Sequence, residues 1–454
     1  MIKKFFIFFI MILLIIGLSG KVLAKDKYTA TSNINGVTVN WEYELNDSNQ
    51  IENLRCTNVS ELTGNITIPN TLDGKTVISI GSEAFKSATN ITGVTVSDSI
   101  KTIGYSAFKN CTKLNRIDLA NVTTLSFDIF ENCTSLIEVT IPKTLKNGST
   151  TPSLNNSSIK KINFEYGLTT IPAYLCANTG ITEITIPNSV KEIGHNAFKN
   201  CTSLEKINLG KVERIGFDAF MDCSKLKSVT IPKTLIDGPG EVNDGVFTGT
   251  TNITSITFED GTKVIASGIL KDCKGIKNVI IPNTVTKVSQ LAFENSGITE
   301  LTFSNSLKEI EYNAFKDCFD LKKITILDNC ERIGWFTTSP DQDTVFKNHN
   351  EDLTIYCYEG SKIAEYAIAT NIKYVYLTKP ADSSINENAD TQKEIEQQQT
   401  PITSGKTITK TDDTTTAKGV LPQTGSAMKA LFVILVITIA SAIFFIKYKK
   451  FRDI

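Results

Sequence analysis

Residues 193–232 read IGHNAFKNCTSLEKINLGKVERIGFDAFMDCSKLKSVTIP, and they say nearly the same thing twice. Ile193 and Ile215 stand 22 residues apart. Between the copies the apolar residues keep their offsets: Ala197 and Phe198 recur as Ala219 and Phe220, Cys201 as Cys223, Leu204 as Leu226, and Ile207 as Val229. Apolar residues fixed at one period are buried by stacking each unit on the next, which makes a solenoid.

Working outward, the same anchor returns at Ile80, Ile103, Leu125, Ile171, Val242, Ile265, Val288, Ile310 and Ile333. Most intervals are 22 or 23 residues. The gap from Leu125 to Ile171 is 46, two periods, so a worn copy lies around Gly148 to Phe164. Extra residues at Asp237 to Glu241 read as a surface loop by their Gly and Pro content. A period in this range with an L-x-x-I-x-L core is that of a leucine-rich repeat.

Within a unit, segments such as Leu114 to Leu119 and Leu204 to Leu209 read as strands with first, fourth and sixth residues inward. Stacked coils set them side by side at ~4.8 Å, as a parallel β-sheet on the concave face. Pro142, Pro187, Pro232 and Pro282 follow these strands, where a missing N–H ends the ladder harmlessly. The Ile-Gly pair is expected to turn the chain, and the Ala-Phe segment to make a short helical or 3-10 turn opposite. About thirteen coils would give a rod of roughly 60 Å. Phe85, Phe108, Phe130, Phe198, Phe220, Phe247, Phe293, Phe315 and Phe346 form a column expected in the core. Six of the ten cysteines sit eight residues after an anchor, where other copies place Ala88, Thr179 or Ser296. A site accepting Cys, Ala, Thr and Ser wants a small buried side chain, so reduced core thiols are expected.

The ends differ from the array. Residues 1–24 carry a basic start (Lys3, Lys4), an apolar run and a small-residue cleavage signal, which reads as an export signal peptide. Residues 25–57 read as an N-terminal β cap, with Asn35-Gly36 as a hairpin turn and Ile51, Leu54 and Cys56 in the repeat's strand frame. The solenoid is assigned to residues 58–350 and a β-α-β cap to 351–378, its helix beginning at Ser361. Residues 379–420 are polar, without aromatics, and read as a disordered linker. Residues 430–446 hold 17 uncharged residues, about 26 Å as a helix, enough to cross a bilayer's apolar core. The basic tail 447–454 would stay cytoplasmic.

Immediately before that span stand Leu421, Pro422, Gln423, Thr424 and Gly425. The pentapeptide, span and tail together resemble the LPxTG cell-wall sorting signal of Gram-positive surface proteins. That resemblance implies that a sortase cuts between Thr424 and Gly425 and joins the Thr424 carboxyl to a peptidoglycan amine. The protein would contact the membrane only before sorting.

Without the first 24 and last 30 residues, which hold eight of the 47 basic and one of the 48 acidic side chains, the net charge is −8. An acidic surface gives no electrostatic case for nucleic acid. The only histidines, His195 and His349, have no Cys or His partner at metal-ligand spacing. No nucleophile elbow, phosphate loop or HExxH occurs, so neither catalytic residue, metal nor cofactor is expected. The outward strand positions remain as the binding surface. Arg116, Asp118, Glu138, Lys161, Glu183, Lys206, Glu300 and Lys323 are its charged members, among many threonines and no aromatic.

The unit IGxxAFxxCxxLxxIxIPxxV is similar to the repeat of BspA-like leucine-rich-repeat surface proteins, over roughly residues 50–377. The closing IYCYEGSKIAEYAIATNIKYVY also resembles a unit found at the end of such arrays. The resemblance implies adhesion to host matrix or cell-surface proteins, or to other microbes. A wall-displayed scaffold or glycan binder, and an exported enzyme with an unrecognised site, are the alternatives.

Overall fold

A computed structural model describes residues 25–146, 152–236, 245–334 and 345–379, all within one unit, Met1–Ala381. The signal peptide, the sorting motif, the apolar span and the basic tail lie outside the described residues, as do the loop at 237–241, most of that at 337–350 and the start of the worn copy. So does the linker beyond Lys379. Among the described residues no helix is long and apolar enough to cross a membrane.

The repeat folds as a parallel β-solenoid of about 13 turns with little helix. Coils whose anchor is described contribute two strands, not one. The longer strands are those expected, for example Glu138–Ile141 beside Lys161–Phe164 and Glu183–Thr185 beside Lys206–Asn208. They pair in register, so that Val139 faces Ile162 and Ile184 faces Ile207. The anchors form a second, shorter ladder: Thr170–Ile171, Glu192–Ile193 and Arg214–Ile215 run side by side, as do Val264–Ile265 through Arg332–Ile333. The Ile-Gly pair therefore does not turn the chain at the isoleucine. The glycine bends it immediately afterwards, pressed against the preceding coil, where a Cβ on Gly216 would lie 2.4 Å from the His195 nitrogen.

The Ala-Phe segments are turns rather than helices. Where they are described, the residues three and seven places after an anchor adopt the left-handed conformation, as in Ser106 and Asn110 (φ 50° and 62°) or Asp218 and Asp222 (φ 53° and 59°). A right-handed helix cannot run through a left-handed residue every fourth position. The backbone instead alternates its partners. Phe108 and Asn110 donate to Ile129 and Glu131 of the next coil (3.1 and 2.8 Å), while Lys109 and Cys111 donate back to Ser106 and Phe108 (3.0 and 3.2 Å). Asn and Asp tolerate this conformation, and their side chains extend the stacking: Asn132 donates to Asn110 and Asn200 to Asn178, both at 3.0 Å.

Every phenylalanine of the expected column is fully buried. The rings stack in runs, Phe85–Phe108–Phe130, Phe198–Phe220–Phe247 and Phe293–Phe315–Phe346, at 5.0 to 6.0 Å. Buried Leu154, Cys176 and Leu270 stand between the runs. The first run ends edge-on against Trp41.

All ten cysteines are free and buried. The thiol of Cys111 donates to the Phe85 carbonyl of the preceding coil at 3.1 Å, and those of Cys133, Cys223 and Cys318 do the same to Phe108, Phe198 and Phe293 at 3.0, 3.3 and 2.9 Å. Those carbonyls face the interior and need a donor. A small thiol supplies one without opening a cavity.

At the start, β1 (Tyr28–Ile34), β2 (Val37–Leu45) and β3 (Ile51–Cys56) pair antiparallel in order. β3 joins the short ladder, with Leu54 opposite Ile80. The strand frame expected for Ile51, Leu54 and Cys56 thus belongs to the other ladder, because Leu54 serves as an anchor there. The long ladder starts at β4 (Gly64–Thr67), where the Asn35 amide donates to the Asn65 carbonyl at 2.6 Å. At the far end Thr354–Cys357 and Lys373–Tyr376 extend the long ladder, joined by α1 (Lys362–Ala369). The Ser361 hydroxyl accepts from the Ala364 N–H and so caps α1, which buries Ile363, Ala364 and Ala367.

Candidate functional site

The long ladder turns alternate side chains outward, and this decides which residues share a face. Arg116, Asp118, Glu138, Lys161, Glu183, Lys206 and Glu300 are all exposed on it, and Lys323 is half-buried. The register brings opposite charges together in adjacent coils: Glu138 with Lys161, Glu183 with Lys206, and Glu300 with Lys323. Lys161 reaches Glu138 at 2.9 Å, and the Asn163 amide donates to the same carboxylate at 2.6 Å. Those two contacts, Lys161 first, hold the Glu138 carboxyl below its ordinary range. Exposed pairs of this kind contribute little stability.

Between the charged stretches, Ser228–Ile231, Ser255–Phe258 and Asn278–Ile280 form one three-stranded sheet. Its outward residues, Ser228, Thr230, Ser255, Thr257, Asn278 and Ile280, carry no charge. Ile280 is 62% exposed.

Two features of the face differ from expectation. It does carry an aromatic: Tyr356 sits opposite Thr325, with the Lys323 ammonium 5.2 Å from its ring centre. Thr325, at an outward place two residues after Lys323, is buried. Tyr356 was legible in principle, since Leu353, Ile355 and Cys357 alternate inward and leave it on the outer side.

The two histidines lie in separate coils. The His195 Nδ1 accepts the Phe217 N–H at 3.1 Å, and a His349 ring nitrogen lies 3.0 Å from the Phe346 carbonyl. Burial pushes the Cys318 and Cys330 thiols up to about 12, and those of Cys56 and Cys357 to about 11, so none is a thiolate at neutral pH. Among the described residues no group of three or more His, Cys, Asp or Glu could hold a metal ion. An open cleft of about 490 Å³ at the junction of cap and first coil is lined by Glu42, Arg55, Glu83 and Lys86 among others. Lys86 pairs with Glu83 at 2.6 Å, and Glu42 with Lys27 at 2.9 Å.

Comparison with known proteins places this geometry. The family model of the BspA type leucine rich repeat region matches residues 49–171, 151–239 and 240–364. No curated protein matches the chain. Among solved structures, a leucine-rich repeat protein from Bacteroides ovatus is 16% identical, the match covering 79% of this chain and 100% of that one at a TM-score of 0.41. The pneumococcal vaccine antigen PcpA is 18% identical, with 78% and 100% covered and a TM-score of 0.41. A leucine rich cell surface protein from Faecalibacterium prausnitzii is 19% identical, with 75% and 97% covered and a TM-score of 0.33. With family matches running from residue 49 to residue 364, the chain belongs to the BspA type leucine-rich repeat family.

Proposed function

We propose that the chain is a wall-anchored surface adhesin that binds host matrix, epithelial or microbial surface proteins through the outward face of its long ladder. The observation that carries this reading is the face itself: a polar surface repeated from coil to coil, with opposite charges set facing each other in neighbouring coils. Such a surface suits recognition by shape over many small contacts rather than conversion of a buried substrate. Display rests on the sequence ends. Residues 1–24 direct export, a sortase cleaves after Thr424 and links its carboxyl to peptidoglycan, and residues 379–420 tether the solenoid across the wall. A second reading, a scaffold or glycan-binding wall protein, draws support from the uncharged hydroxyl and amide groups of Ser228, Thr230, Ser255, Thr257 and Asn278.

Two measurements test the proposal. Saturable binding of the protein to matrix proteins or epithelial cells is expected; binding to mucin or wall polysaccharide alone selects the second reading. In cells that make the chain, Thr424→Ala is expected to move it from the covalent wall fraction to the membrane or medium. Its retention in the covalent fraction would refute anchoring at this residue.

A further inference from the structure

A second surface runs along the turn segments, separate from the long-ladder face. Among the described residues the place two residues after the anchor holds Tyr105, Phe127, His195, Phe217 and, further along, Tyr312. Tyr105 and Phe127 lie ring to ring at 4.4 Å, and His195 and Phe217 at 4.3 Å. In the regular coil between the two pairs, Tyr174 takes the next place along. Phe127 is 47% exposed and Tyr174 38%. The two pairs lie three coil steps apart, from the coil of Phe127 to that of His195, and Tyr174 stands one step before His195.

The fold does not require these rings. Other coils put Ser82, Ser267 or Gln290 at the same place, yet their turns are the same. Glu83 and Ser87, and Gly268 and Asp272, keep the left-handed pair. The bonds to the next coil also persist, Glu83 to Tyr105 at 2.7 Å and Gly268 to Gln290 at 3.1 Å. Tyr174 goes further, since it holds a bulky aromatic at φ 60°, a conformation such side chains rarely adopt. Exposed aromatics beyond what packing needs mark an interaction surface.

Charge indicates what this surface takes. Lys109 and Glu131 beside it neutralise each other at 2.6 Å. Asp128, Asp218 and Asp222 remain along its edge, against Lys199, on a body whose net charge is −8 between residues 25 and 424. We propose that this aromatic rim docks an extended, arginine-bearing segment of a partner protein. Guanidinium planes would stack on the exposed rings while Asp128 and Asp218 accept their N–H groups. Asp128 already accepts from the Asn155 amide at 2.7 Å, which leaves its second oxygen for the ligand. The rim is a different surface from the adhesion face proposed above, so either can fail alone.

The test uses the full-length chain and fluorescence anisotropy with a labelled oligoarginine peptide, compared with oligolysine of equal length. Arginine stacks on rings where lysine acts as a hydrated point charge, so oligoarginine is expected to bind more tightly at the same charge. Phe127→Ser and Phe217→Ser should each weaken it about two- to five-fold without changing Tm, and Asp218→Asn should weaken it as well. Equal affinity for the two peptides, or ring variants that bind as wild type, would overturn the proposal. So would a fall in Tm of several degrees on removing either ring, because the rings would then serve the fold. Glu183→Gln on the long-ladder face should leave binding unchanged; a loss matching the rim variants places the peptide on that face and rejects the rim.

Discussion

Replacing Phe220 by alanine probes the core column directly. The ring is fully buried and stacked between Phe198 at 5.0 Å and Phe247 at 5.6 Å, both nearly parallel to it. Removing a buried phenylalanine side chain costs about 3–5 kcal/mol, and two lost ring contacts place Phe220→Ala toward the upper part of that range. Spread over a cooperative array of roughly 320 residues, a loss of about 4 kcal/mol lowers Tm by about 6 °C. Phe220→Leu supplies the comparison, because Leu154 and Leu270 stand between the ring runs and are buried. It should cost about 1–2 kcal/mol, since most of the volume stays. Thermal unfolding followed by circular dichroism separates the two variants. If the alanine variant melts within a degree of wild type, or if leucine costs as much as alanine, the rings do not hold adjacent coils together in the way described.

Two further outcomes follow from the coil geometry. Gly216→Ala places a Cβ 2.4 Å from backbone of the preceding coil, so its urea midpoint should fall, by about 1–3 kcal/mol of stability; an unchanged midpoint would mean the coils can separate there at no cost. The thiols of Cys318 and Cys330 rise from 9.0 to about 12 on burial, so the folded state holds their protons after the unfolded chain has lost them. Their contribution is whole below pH 9 and is lost as pH climbs toward 12. A Tm that is flat below pH 8 and falls above pH 9 is expected, with a shallower fall in the Cys318→Ala, Cys330→Ala double variant. Thiol titration of denatured, unreduced protein should count ten groups; fewer than eight would show pairing.

The solenoid was legible because burial repeats. Ile193, Phe198, Cys201 and Leu204 each meet their own counterpart one coil away, so the period of the apolar residues is the period of the fold. The backbone's route was less visible. Nothing in a two-residue segment such as Glu192–Ile193 distinguishes a strand from a bend until its neighbours pair with it. The left-handed turn had a signal in Asn196, Asn200, Asp218 and Asp222, but such residues also suit helix caps and loops, and Ala-Phe beside them favours a helix locally. Leu54 shows the limit of spacing: one apolar pattern fits either ladder, and only the pairing with Ile80 chooses. On the surface, the outward charges could be counted in advance. Which of them face each other depends on register, and the aromatic rim depends on which turn positions stay open to solvent.

Because each coil's hydrogen-bond partners sit one period away, a whole unit can be duplicated or deleted while both flanking units find the same groups waiting for them. Each added unit lengthens the stack by ~4.8 Å and leaves the two capped ends as they are. The length of the solenoid thus becomes a quantity that recombination can adjust in fixed steps, independently of whatever the exposed side chains recognise.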